Sequence, residues 1–76
     1  MLELVNIKVD GNYIYAYLNI EGEETKYKIV FLIDDPIKVS SSEIPEDLWI
    51  YRRQALQAIR HYTPDNLPES ITSAWY

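Results

Sequence analysis

Apolar and polar residues alternate with a period of two along the first part of the chain. The clearest alternation runs from residue 13 to residue 20, where one half-set is aliphatic and the other is mostly tyrosine. The two half-sets are Ile14, Ala16, Leu18 and Ile20, and Tyr13, Tyr15, Tyr17 and Asn19. Successive side chains of a strand point to opposite faces of a sheet, so this period predicts a β-strand. Because both faces are largely apolar, we expect this strand to lie in the middle of a sheet.

Two further strands are predicted beside this central one. Residues 2–9 are rich in Val, Ile and Leu, and residues 25–33 alternate Tyr, Ile and Phe with Lys, Val and Leu. Asp10-Gly11 and Gly22-Glu23 separate the three segments, and such pairs are typical of two-residue hairpin turns in which Gly supplies a positive φ. The sequence therefore predicts a three-stranded antiparallel β-meander.

The two predicted turns set the register of the meander. With Asp10-Gly11 as the first turn, Ile7 faces Ile14; with Gly22-Glu23 as the second, Ile14 faces Phe31. Both registers assemble the same apolar face, and a slip of one residue would scramble it. The members of this face are Val5, Ile7, Val9, Ile14, Ala16, Leu18, Ile20, Tyr27, Ile29 and Phe31.

A helix is predicted after the meander. Asp34-Asp35-Pro36 ends the third strand, residues 37–39 fit either a short fourth strand or an extended crossover, and residues 40–42 fit a serine linker. A period of 3.6 residues follows over residues 45–62, with Pro at the first helical position. Its apolar stripe is Leu48, Tyr51, Ala55, Ala58, Ile59 and Tyr62, flanked by Trp49 and Leu56.

The expected fold class is α+β, a three-stranded antiparallel meander with one C-terminal helix packed on its aliphatic face. Residues 1–63 are expected to form a single domain, and residues 64–76 a Pro-containing tail able to pack back on the sheet. A chain of 76 residues can bury only roughly 60% of the surface that its unfolded state exposes, so its stability is marginal, and no cysteine is present to add a disulfide. Self-association is one way in which so small a domain gains stability.

The face away from the helix is unusually apolar for a solvated surface. Its predicted members are Leu2, Leu4, Asn6, Lys8, Tyr13, Tyr15, Tyr17, Asn19, Lys26, Lys28, Val30 and Leu32. In the predicted register Lys8 faces Tyr13, Tyr15 faces Val30 and Tyr17 faces Lys28. Three tyrosines in a row on an uncovered face require an explanation.

Three explanations compete for this tyrosine face. The chain's own tail covers it, or it binds a protein partner or a second copy in a homodimer, or its rings stack the bases of a single-stranded nucleic acid. We favour the protein interface. The expected partner-binding residues are Tyr13, Tyr15, Tyr17, Lys28, Val30, Leu32, Trp75 and Tyr76.

The charge balance narrows the class of partner. The formal net charge is −5, which disfavours general binding to nucleic acid, because that affinity comes largely from Lys and Arg. The start of the chain lacks the pattern of a signal peptide, and no apolar run reaches the length of a membrane helix. We therefore expect a cytoplasmic protein that does not bind membranes. Acidic residues at 21, 23, 24, 34 and 35 also allow a decoy for a nucleic-acid-binding protein.

No combination of residues points to catalysis, a metal or a cofactor. His61 has glutamines and arginines as helical neighbours, and the adjacent Asp34 and Asp35 should point apart. The serines 40–42 lack the sequence context of a nucleophile, and no phosphate-binding or zinc-binding motif is present. We expect a small acidic protein of the accessory or inhibitor type, such as phages and mobile elements carry, rather than an enzyme.

Overall fold

The computed structural model describes residues 1–73 of the chain. These residues form one five-stranded antiparallel sheet in the order β4-β3-β2-β1-β5. The strands are β1 (Leu2–Asp10), β2 (Tyr13–Ile20), β3 (Lys26–Leu32), β4 (Lys38–Ser42) and β5 (Ile71–Ser73). The helix α1 (Trp49–Ile59) follows a 3₁₀ turn at Glu46–Leu48, and another 3₁₀ turn spans Pro64–Asn66. The α+β class and the meander are confirmed, and β5 is an addition that the sequence pattern did not predict.

The hairpin of β2 and β3 has the predicted register. Ile14 pairs with Phe31, and the register continues without a shift to the pair Asn19 and Lys26, next to the loop that joins the two strands. The turn itself differs from the prediction. The Glu23 amide donates to the Ile20 carbonyl over 3.0 Å, and Gly22, with φ of 86°, is at the second central position of this turn. The longer connection is still centred between Gly22 and Glu23, so the register is unchanged.

The hairpin of β1 and β2 contradicts the predicted register. Asp10 pairs with Tyr13, so the loop is Gly11-Asn12 and not Asp10-Gly11. A β-bulge follows, in which Asn6 and Ile7 together lie opposite a single residue of β2. Asn6 has φ of 55°, in the left-handed region that Asn tolerates better than most residues. The Ile7 amide, displaced by the bulge, donates to the Glu69 carbonyl over 3.0 Å.

The bulge exchanges the two faces of β1 for the residues that precede it, Leu2 to Val5. Leu2 and Leu4 are fully buried in the core, whereas Val5 pairs with Tyr17 on the other face. The prediction that Leu2 and Leu4 belong to the uncovered face, and Val5 to the core, is therefore wrong. The physical reason is that a leucine buries more apolar area than a valine, and the bulge lets the strand bury Leu4 and Ile7 together.

The two edge strands account for segments that the sequence left undecided. β4 pairs with β3 and extends through Ser42, so the three serines are strand and not linker. Polar side chains are tolerated there because β4 has a sheet neighbour on one side only. β5 pairs with β1 at the other edge, and Ile71 is buried in the core. This part of the tail therefore extends the sheet edge and does not lie over the tyrosines.

The helix covers the aliphatic face of the sheet, as predicted. Ala55, Ala58 and Ile59 are buried against it, and the Arg60 Nε donates to the Ile37 carbonyl over 2.8 Å. The buried core is made of Leu2, Leu4, Ile7, Ile14, Ala16, Leu18, Ile20, Ile29, Phe31, Ile37, Ile44, Ala55, Ala58, Ile59 and Ile71. The helix is shorter than predicted. Because it ends at Ile59, Tyr62 leaves the apolar stripe and is 39% exposed.

Candidate functional site: the open face of the sheet

We call the side of the sheet away from α1 the open face. Its members follow from the cross-strand register and from the burial of the residues that alternate with them. They are Glu3, Val5, Lys8, Asp10, Tyr13, Tyr15, Tyr17, Asn19, Lys26, Lys28, Val30, Leu32, Lys38 and Ser41. Within residues 1–73 no helix or loop lies over this face. The three tyrosines of β2 form its central row.

The three tyrosines follow one another along β2, which is paired with a strand on each side. Tyr13 and Tyr17 are each 40% exposed, and Tyr15 between them is half-buried. The ring centroids of Tyr13 and Tyr15 are 6.4 Å apart at an interplanar angle of 52°, a tilted contact in the favourable range for aromatic pairs. Val30, directly across from Tyr15, is only 9% exposed although it is on the uncovered side. Neighbouring side chains on the same face therefore shield it.

The positively charged residues of the open face are lysines. All four lysines of the chain are on it, since Lys8 pairs with Tyr15, Lys28 with Tyr17, Lys26 with Asn19 and Lys38 with Leu32. The Lys28 Nζ lies 5.8 Å from the centroid of the Tyr15 ring, within the range of a cation–π contact.

Acidic side chains are mostly in the connections between strands and helix. Of the twelve acidic residues only Glu3 and Asp10 belong to strands. The strands of the open face thus carry four lysines against the two carboxylates Glu3 and Asp10, on a protein whose net charge is −5. Glu43 lines one cleft of this face, and Asp34 pairs with Lys38 at its edge. The two acidic loops, at residues 21–24 and 34–35, are at opposite ends of β3. A partner that contacted both would have to span roughly 20 Å along the strand.

Tyr15 and Lys28 form a ridge between two shallow clefts on the open face. One cleft, of about 490 Å³, extends over Val30 to the serines of β4. The other, of about 470 Å³, extends over Tyr17 and Lys8 towards the bulge in β1. The first cleft ends at Glu43, which is joined to Lys28 by two hydrogen bonds. The Lys28 amide donates to the Glu43 Oε1 over 3.2 Å, and the Glu43 amide donates to the Lys28 carbonyl. The arrangement offers ring surface and ammonium groups to a ligand over a broad area.

The structure brings most of the predicted binding residues together. Tyr13, Tyr15, Tyr17, Lys28, Val30 and Leu32 share the open face. Trp75 and Tyr76 lie outside the described residues. Lys38 was missed, because the sequence signal for β4 was too weak to give that residue a face. Lys8 was predicted opposite Tyr13, but the loop at Gly11-Asn12 places it opposite Tyr15.

Of the candidates His61 and Asp34, only Asp34 contacts the open face, through Lys38. His61 is exposed just after α1. The Asp34 carboxylate forms an exposed ion pair with Lys38 at 3.6 Å, and its Oδ1 also accepts from the Asp35 amide over 2.9 Å. In the part of the chain that the structure describes, no three His, Cys, Asp or Glu side chains are placed to hold a metal ion.

Neither a search for membrane-spanning helices nor comparison with known proteins adds a function to this site. Within residues 1–73 no helix has the length and apolar character needed to span a bilayer. No protein-family model matches the sequence, and neither a curated protein nor a solved structure matches it significantly.

Proposed function

We propose that the chain is a non-catalytic protein-interaction module of the accessory or inhibitor type, and that it binds an acidic surface of a partner protein through its open face. One observation carries the proposal. A row of three tyrosines and all four lysines of an acidic protein share a face that no described element covers.

Tyrosine suits this role for physical reasons. A tyrosine ring offers a large contact area with few rotatable bonds, so little side-chain entropy is lost on binding. The rings here also stand on a paired central strand, and Tyr13 contacts Tyr15. Such a surface needs little rearrangement to meet a partner, and aromatic residues concentrate binding energy at protein contacts.

The lysines favour a different protein over a second copy on this face. In a face-to-face dimer the lysines of the two copies would be brought together, and within residues 1–73 three of the four, Lys8, Lys26 and Lys28, take part in no ion pair. Like charges placed opposite one another across an interface oppose association. An acidic partner would instead be attracted, and its encounter rate would fall as salt is added.

The geometry of the clefts supports a binding role without catalysis. Both clefts are shallow, and among the described residues that line them there is no histidine and only one carboxylate, that of Glu43. General acid–base chemistry usually needs a pair of titratable groups held around a substrate.

The proposal can be tested by capture and titration with matched variants. Interacting proteins are captured from extracts on the wild type, on the double variant Tyr15→Ser/Tyr17→Ser and on Tyr62→Ser, then purified and titrated by calorimetry. Tyr62 is the matched control, because it is 39% exposed but lies just beyond α1. We expect the double variant to bind at least about tenfold more weakly and the control to bind normally. Equal binding by the double variant would contradict the proposal.

Single-stranded nucleic acid is the second candidate, because exposed rings between ammonium groups could also stack bases and contact phosphates. The discriminating experiment is a fluorescence titration with short oligonucleotides at low and high salt. Binding at low salt that weakens steeply at high salt and is lost in Tyr15→Ser/Tyr17→Ser would favour this second function. No binding at low salt would remove it.

A further inference from the structure

The outer side of α1 carries a second exposed apolar group, unrelated to the open face. Trp49 is 50% exposed and Ile50 is 36% exposed, and neither belongs to the buried core. Glu46 precedes them and Arg53 follows them, both exposed. We call these four residues the helix ridge. A half-exposed tryptophan beside an exposed isoleucine is a large apolar surface for so small a domain.

The local geometry places the four residues of the helix ridge on one side of the helix. Glu46 belongs to the 3₁₀ turn, in which residues three apart eclipse one another, so it lies above Trp49. In the α-helix that follows, residues three and four apart are neighbours, so Arg53 lies one turn below both Ile50 and Trp49. The order along the helix is therefore acidic, apolar, apolar, basic.

This order is self-complementary under a two-fold rotation. A symmetric contact requires that each residue meets its counterpart at the mirrored position along the partner helix. With the axis passing between Trp49 and Ile50, Glu46 of one copy meets Arg53 of the other, and the reverse pair forms on the opposite side of the axis. We propose that two copies of the chain associate through the helix ridge, with α1 antiparallel to α1 of the second copy.

The surrounding charges favour the same arrangement. Arg52 and Arg53 are in α1, Arg60 follows it directly, and no acidic residue is in α1, so an acidic partner for Arg53 would come from outside the helix. Within residues 1–73 neither Glu46 nor Arg53 takes part in an ion pair. In an antiparallel pair the helix dipoles also oppose one another favourably.

The proposed dimer is independent of the function proposed above, because α1 and the open face are on opposite sides of the sheet. Both open faces would remain exposed and would point away from each other. The dimer would therefore present two equal binding surfaces, and a partner with repeated acidic sites would gain from engaging both.

Light scattering with a charge swap tests the proposal. The molar mass of the full chain is measured from micromolar to millimolar concentration for the wild type, Arg53→Glu, Glu46→Arg, the double variant Glu46→Arg/Arg53→Glu, and Trp49→Ser. The matched control is Tyr17→Ser on the open face. All six chains are checked by circular dichroism, since the substituted positions are exposed and should leave the fold intact.

We expect the wild-type mass to rise from 9.0 kDa towards twice that value with concentration. Each single charge reversal should raise the dimer dissociation constant by about tenfold or more, because two like-charge pairs then face each other in every dimer. The double variant should restore dimerisation, Trp49→Ser should abolish it and Tyr17→Ser should leave it unchanged. A wild type that stays monomeric at millimolar concentration overturns the proposal, as does a double variant that fails to recover. Loss of the dimer in Tyr17→Ser alone would move the contact to the open face and overturn it equally.

Discussion

The two faces of β2 differ in burial: one packs in the core and the other is exposed. On one side Ile14, Ala16 and Leu18 are almost completely buried beneath α1, while on the other side Tyr13 and Tyr17 remain well exposed. The backbone pairing is common to both, since β2 is bonded to β1 and β3 along its length. What differs is that a single helix covers only one side of a sheet. The comparison shows how a small chain can divide stability and recognition between alternate residues.

The largest expected effect is on the covered side of β2. Leu18→Ala should lower the free energy of unfolding by about 2–5 kcal/mol, because Leu18 is fully buried and the change leaves a cavity. Tyr17→Ala, one residue away on the open side, should cost far less. Urea denaturation followed by circular dichroism measures both. Equal losses would show that the two sides do not differ in the way described.

The exchange of faces in β1 gives the next largest effect. Leu4→Ala should cost about 2–5 kcal/mol of unfolding free energy, because Leu4 is fully buried. Val5→Ala should cost about 1 kcal/mol, since Val5 is half-buried on the open face and loses only small groups. The same denaturation experiment ranks the two variants. A hairpin without the bulge would reverse the order.

The bulge itself predicts a smaller effect at Asn6. Asn6→Val should destabilise the fold by about 1–2 kcal/mol, because a β-branched residue is strained at a φ of 55°. Asn6→Gly should be close to neutral, since Gly adopts this φ without strain. Thermal unfolding of both variants checks the prediction. If Val is tolerated as well as Gly, the left-handed backbone at this position is not required.

The smallest effect is expected from the contact between Lys28 and Tyr15. Its coupling energy should be about 0.5–1 kcal/mol, the usual range for an exposed cation–π pair. A double-mutant cycle with Lys28→Ala and Tyr15→Ala isolates this coupling from the separate loss of each side chain. A coupling of zero would leave the two groups free to engage a partner independently.

The comparison of the two hairpins explains how much of the fold was predictable. The β2–β3 register followed from the centre of the predicted turn at Gly22-Glu23 together with the alternation, because each of the two strands keeps a single phase along its length. In β1 the pattern has two phases. Leu2 and Leu4 follow one, and Ile7 and Val9 follow the other, so a single alternation could satisfy only part of the strand. The asparagine between the two phases was the available signal for a bulge.

Other elements depended on contacts that local patterns do not encode. β5 is three residues long. It is stabilised by pairing with the edge of β1 and by burial of Ile71 in the core. The position of Lys38 on the open face likewise depends on the pairing of β4 with β3. The tyrosine row was predictable from β2 itself. The gathering of every lysine on the same face was only partly predictable, since it required the register of four strands.

The pairing of β5 with β1 also determines when the chain can finish folding. β1 precedes the other described strands in the chain, whereas its outer neighbour β5 is the last of them, and almost the whole described chain separates Leu2 from its partner Ser73. The displaced amide of the bulge receives its acceptor from Glu69, which also emerges late. While the chain grows on the ribosome, one edge of β1 and the core position of Ile71 therefore remain unfilled. The described sheet is complete only once residues 71–73 have been synthesised and paired, so until then β1 has a sheet neighbour on one side only.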